Sequence, residues 1–255
     1  MIKLDLKAFA DSNHIFLKHH KLITEEAVKN IVTSNNLTIN QIKNNFDTII
    51  NNIEKEAYRL YLICEEIYGK EVFSAFIEYL NRSRRINSIL ELQDSLGEYF
   101  YSFDKFFLSL SQSRKARSGK TFESITNNLF KSLNYPFDEQ IVINGKPDFL
   151  MPSENHYRKN PMDCIIFTTK RTLRERWRQI VTEGTRGLGF YLATIDEKIS
   201  SIALEEMLKH RIYIVCPQEL RNKCYNDAIN VLSFYQFFKD HLDPAMKRWK
   251  DNGVI

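Results

Sequence analysis

In the first 110 or so residues the apolar positions recur at helical spacing. Ile49, Ile50, Ile53, Ala57, Leu60 and Leu62 are an example, and this spacing gathers them on one side of a helix. Proline is absent there and glycine scarce. The pattern predicts an all-helical N-terminal part over residues 1–110, with breaks at Thr33–Asn36, Gly69 and the segment Ser111–Lys120. From Thr121 onward, prolines, glycines and short β-branched runs alternate with amphipathic segments, as in mixed α and β structure. Phe122, Ile125, Leu129 and Leu133 form a helical stripe. Asn144-Gly145 then separates Gln140–Ile143 from Lys146–Met151, which predicts a hairpin of two antiparallel strands. A third strand is expected at Cys164–Thr168, with Lys170 just past its end. A helix should start at Thr172, whose hydroxyl and Glu175 can form a capping box, and it should bury Leu173, Trp177, Ile180 and Val181. Gly184, Gly187 and Gly189 end it. A strand at Phe190–Ile195, a helix at Ser200–His210 and a strand at Ile212–Cys216 follow, the last stopped by Pro217. The tail from about Asn226, with Leu232, Phe234, Tyr235, Phe237 and Phe238, reads as a helix packing back on the body. The fold class expected is α/β, a mixed central sheet flanked by helices. A helical N-terminal part covers 1–110 and a single catalytic unit covers 111–255.

Composition adds exclusions. Apolar residues at 43% and charged residues at 27% are those of a globular protein, and a net charge of +4 leaves any affinity for nucleic acid to local basic clusters. Cys64, Cys164, Cys216 and Cys224 have no CxxC spacing and read as reduced thiols, two of them filling apolar runs. The six histidines show no metal-ligand spacing. The N-terminus carries no signal-like apolar stretch and no run approaches a membrane span, which points to the cytoplasm. Gly119-Lys120-Thr121 matches the end of a phosphate-binding P-loop, but Arg114 stands where its first glycine is required and no strand leads into it, so no nucleotide cofactor is expected.

Candidate chemistry lies in Asp148 after Pro147 on the second strand, Lys170 beyond the third, and Glu183 on the following helix. Adjacent strands are about 4.8 Å apart, so Asp148 and Lys170 can meet at a sheet edge, and Glu183 lies on the flank of its helix's apolar stripe, able to face the same edge. Asp148 alone could be a turn acid. Converging carboxylates call for a cation, and hard oxygen ligands suit Mg2+, with Asp148 and Glu183 as its ligands. A lysine alongside makes phosphodiester hydrolysis the natural reaction. Arg114, Lys115, Arg117 and Lys120 form a basic run suited to DNA backbone phosphates.

In element order and in text this chain resembles the PD-(D/E)XK nucleases, and among them the EcoRII C-terminal-domain type of restriction enzyme. The matching text is Arg114-Lys-Ala-Arg-Ser-Gly119 with Phe122-Glu123, Lys146-Pro-Asp-Phe-Leu-Met-Pro152 with Tyr157, and Thr169-Lys-Arg-Thr-Leu-Arg-Glu-Arg-Trp-Arg-Gln-Ile180 with Glu183. The resemblance spans about residues 111–216. It implies a restriction-endonuclease-like fold, with Asp148 and Glu183 as metal ligands, Lys170 as catalytic lysine, and Glu123 and Tyr157 as accessory groups. In such enzymes the second acid has moved from the strand to the helix, and Thr168, two residues before Lys170, agrees. Arg174, Glu175 and Arg176 match the cluster that reads adjacent G·C pairs, and the chemistry suits a CC/GG site, because arginine forks guanine and a carboxylate accepts from cytosine. Arg174 departs from the lysine that some relatives carry there. The partner implied is double-stranded DNA, bound by a homodimer whose two-fold axis matches that of the site. Rival expectations are another nuclease of this fold, acting in repair or on modified DNA, and a non-catalytic DNA-binding protein.

Overall fold

Short β-branched and aromatic runs form six strands among the described residues, which are 3–84, 86, 88–143, 146–173, 189–226 and 228–255 of this computed structural model. They are β1 (Asp138–Glu139), β2 (Phe149–Met151), β3 (Ile165–Thr169), β4 (Gly189–Ala193), β5 (Ile212–Cys216) and β6 (Val231–Ser233), adjacent in that order. β1, β2 and β3 pair antiparallel, and β3 through β6 pair parallel.

Both faces of the sheet are covered, which is why its strands read as continuous apolar runs rather than alternating ones. Leu150, Ile166, Phe190, Leu192, Ile212 and Ile214 point into one core with Leu204 and Met207 of the helix Ser201–Lys209. Their strand neighbours point the other way, into an aromatic layer. There the Phe130 ring packs on Phe149 and Phe167, and Phe237 on Phe167 and Tyr191. Phe46 closes that layer against Phe130, Phe234 and Phe238. Cys164 and Cys216 lie in the first core, where burial pushes both thiols up to about 12.

The chain forms two compact units, Met1–Ala27 with Lys55–Thr121, and Val28–Glu54 with Phe122–Ile255. The first is helical and gathers Leu6, Tyr68, Val72, Phe76, Leu80, Tyr99 and Phe106 into its own core. The second holds the sheet. Two long helices, Phe46–Arg84 and Phe100–Ser132, have residues in both units.

Several expected features are displaced. The strand expected at Gln140–Ile143 is instead β1, two residues earlier, and Gln140 leaves it in the left-handed region at φ 56°. The breaks expected at Gly69 and at Ser111–Lys120 do not occur, since both lie within long helices. One glycine in a helix costs only about 1 kcal/mol relative to alanine, and buried apolar residues stand both before the segment, at Phe106 and Leu110, and after it, at Phe122 and Ile125. The tail holds β6 before its helices. The helix expected from Thr172 falls largely on residues 174–188, outside the described residues. Among the described residues no helix is long and apolar enough to cross a membrane.

Candidate active site

Strand register brings the central residues together. β2 and β3 pair Phe149 with Phe167 and Leu150 with Ile166, and one step further sets Asp148 opposite Thr168. Side chains two apart on a strand share a face, so Lys170 lies diagonally across from Asp148 on the side of Thr168. Its backbone N–H donates to Ala193 O at 2.9 Å, which carries the β4 pairing one residue past β3. The Lys170 ammonium stands 3.7 Å from Asp148 Oδ2 and 3.5 Å from Thr168 Oγ1. Next to it, Arg171 is ion-paired with Glu54.

Asp148 is only 5% exposed, and a buried carboxyl group calls for hydrogen-bond partners. Its Oδ2 accepts from Thr168 Oγ1 at 2.9 Å, Thr169 N at 2.7 Å and Thr169 Oγ1 at 2.9 Å. Its Oδ1 accepts from Gln140 Nε2 at 3.0 Å. Gln140 owes this position to the β1–β2 register, which pairs Glu139 with Phe149 and so sets Gln140 opposite Asp148. The Gln140 N–H donates to Asp148 O at 3.2 Å.

A second carboxylate arrives from the helix Phe100–Ser132. Glu123 stands seven residues before the buried Phe130, on the same helical face, and its Oε1 accepts from Gln140 Nε2 at 2.8 Å. Burial, and after it the charge of Asp148, pushes the Glu123 carboxyl above its ordinary value, against the opposing pull of Lys170 and of the Gln140 hydrogen bond. Two neighbouring carboxylates, both offering hard oxygens, suit a divalent cation such as Mg2+. Among the described residues no group of three or more His, Cys, Asp or Glu could hold a metal.

Of the expected site residues, Asp148, Lys170 and Glu123 meet here. Tyr157 lies on the helix Glu154–Lys159, half-buried against the sheet core. Glu183 lies outside the described residues, as do Arg174, Glu175 and Arg176. The basic run falls in the helical unit. Arg114 forks the carboxylate of Glu65 through Nε at 3.0 and 3.1 Å and a closer contact from Nη2, and this pairing is the main cause of the depressed Glu65 carboxyl. Arg117 donates to Ser113 Oγ at 3.0 Å and Lys18 O at 3.1 Å, with its guanidinium 4.9 Å from the Tyr61 ring centre. Lys120 is exposed, and the Lys115 side chain lies outside the described residues. Gln140 and Thr169 are members of the site that sequence reasoning did not pick out.

Residues 82–238 match the protein-family model described as EcoRII C terminal. The chain is 30% identical over 205 residues to the type II restriction enzyme SsoII of Shigella sonnei, covering 73% of this chain and 66% of that one. It is 33% identical over 150 residues to the type II restriction enzyme EcoRII of Escherichia coli, covering 55% of this chain and 37% of that one. Its fold is similar to that of metal-depleted Ecl18kI in complex with uncleaved DNA, with a TM-score of 0.73 at 24% identity over 95% of this chain and 82% of the other. The PspGI–substrate DNA complex matches with a TM-score of 0.64 at 21% identity, over 91% and 94%. The fold is thus restriction-endonuclease-like, a mixed sheet flanked by helices with a helical N-terminal region.

Proposed function

The chain belongs to the EcoRII C-terminal family of type II restriction endonucleases, within the PD-(D/E)XK superfamily, and on that footing we propose that it hydrolyses double-stranded DNA at a site containing CC/GG, with Mg2+. The observation that carries the reading is a buried, ionisable Asp148 with the Lys170 ammonium 3.7 Å away at the end of β3. Asp148 and Glu183 are the proposed metal ligands, with Glu123 near them. The chemistry such an ion supplies is Lewis-acid polarisation of the scissile phosphate and neutralisation of its charge. Thr168 and Thr169 fix the orientation of Asp148 through their three hydrogen bonds to Oδ2. Lys170, half-exposed at the strand end, presents a positive charge to the phosphate where negative charge grows as water attacks.

Arg174, Glu175 and Arg176 are proposed to read the G·C pairs, and the basic run 114–120 to meet backbone phosphates, with Lys120 exposed for that contact and Arg114 already paired with Glu65. Cleavage of both strands calls for a homodimer. Digestion of plasmid DNA of known sequence in Mg2+, followed by sequencing of the fragment ends, tests the proposal. Discrete cuts at sites sharing CC/GG are expected, and both excess EDTA and Asp148→Ala should abolish them. Full cutting under either condition refutes the metal mechanism. Cutting of modified DNA alone would assign a different nuclease, and binding without cutting a non-catalytic protein.

A further inference from the structure

The side-chain nitrogen of Gln140 has two hydrogens, and each is donated to a different carboxylate, one to Glu123 Oε1 at 2.8 Å and one to Asp148 Oδ1 at 3.0 Å. A neutral donor thus sits between the two acids. Its backbone is in the left-handed region at φ 56°, a conformation disfavoured for glutamine and easy for glycine, so the contacts of this residue hold it against a local preference. The partial positive charge of the amide lessens the repulsion between Asp148 and Glu123, but a cation bound at Asp148 with Glu123 beside it would require the amide to withdraw.

We propose that Gln140 is a positioning residue that acts as a neutral placeholder for the divalent ion, keeping the two carboxylates in place without the metal and setting the metal's affinity by having to give way to it. This rests on the reading that the site binds a divalent cation. The affinity of the ion then includes the loss of the hydrogen bonds that the amide gives to the two carboxyl groups, and removing the amide relieves that loss.

The test is calorimetric titration of the DNA-free protein with Ca2+, together with thermal melts and circular dichroism in its absence. Gln140→Gly removes the amide and suits the backbone angle, so Ca2+ should bind about tenfold tighter, the net worth of roughly one such hydrogen bond, while the metal-free protein melts earlier than the unaltered one. Gln140→Lys puts a fixed ammonium between the same carboxylates, so Ca2+ should bind at least about tenfold more weakly and the metal-free protein should melt later. A merely structural glutamine would move both variants in the same direction. If both lose affinity, or neither changes, the placeholder role is overturned while the metal reading stands. If the unaltered protein binds no divalent ion, both fall together.

Discussion

Replacing Asp148 by asparagine exchanges one carboxylate oxygen for an NH2 group and keeps the shape. Three donors converge on Oδ2, from Thr168 and Thr169, so the single remaining oxygen must stay there. The new NH2 then faces Gln140 Nε2, which now stands 3.0 Å from Oδ1, and donor meets donor. Turning the Gln140 amide over satisfies that contact but sets its oxygen against Glu123 Oε1. One buried polar pair is therefore left unsatisfied, at a cost of about 1–3 kcal/mol. The three bonds to Oδ2 also lose their charge assistance, together about 3 kcal/mol more. Relief from burying a second charge beside Glu123 offsets part of this, leaving a net loss of roughly 2 kcal/mol, or about 4–8 °C in Tm. In the cleavage reaction an amide cannot replace an anionic ligand, and a loss of about 4 kcal/mol of transition-state stabilisation is a slowing of roughly a thousandfold. The assays are urea unfolding at neutral pH and single-turnover cleavage of a plasmid in Mg2+. A variant as stable and as active as the parent would refute both the hydrogen-bond accounting and the catalytic assignment.

Glu123 has a raised carboxyl in the folded state, so the native protein takes up that proton before the unfolded chain does, and stability falls as pH rises through the folded value. Glu123→Gln should therefore raise the Tm of the metal-free protein at neutral pH, with the gain vanishing below about pH 4.5, the ordinary glutamate value; a pH-independent difference would remove that cause. Arg176→Ala should weaken specific DNA binding by ~1–3 kcal/mol, and unchanged discrimination between cognate and mismatched duplexes in a gel-shift titration would take Arg176 out of the reading set. Phe130→Ala opens the aromatic layer between the helix Phe100–Ser132 and the sheet, and about 3–5 kcal/mol of stability should go with it. A loss below 1 kcal/mol in chemical denaturation would mean that the layer is not packed as described.

The core strands were legible because both of their faces are buried. Ile212–Cys216 and the run around Ile165–Thr169 carry continuous apolar character that no amphipathic helix imitates. Asp148 and Lys170 could be paired from sequence because a strand end and a two-residue spacing fix them. Gln140 was hidden by one residue of register. A two-residue turn at Asn144-Gly145 would pair Gln140 with Phe149, whereas β1 sets it opposite Asp148, and an offset of one exchanges the faces of a strand. Thr169 was passed over because a threonine at a strand end carries no signal of its own until its hydroxyl is seen on the carboxylate. β6 escaped notice because Val231–Ser233 is three residues long and runs straight into helices whose aromatic spacing dominates the tail. Arg114 is a case in which charge pattern misleads in part, since nothing local reveals that its partner, Glu65, lies 49 residues away.

The passage of two uninterrupted helices through both compact units bears on any attempt to dissect the gene. A fragment beginning at residue 111 would keep the six described strands but lose Val28–Glu54, and with it Phe46, whose ring packs on Phe130, Phe234 and Phe238, and Glu54, which pairs with Arg171. A nuclease half recovered by cutting or shuffling the coding sequence must therefore bring an upstream segment with it, so a recombination crossover near codon 110 is a poor place to exchange modules.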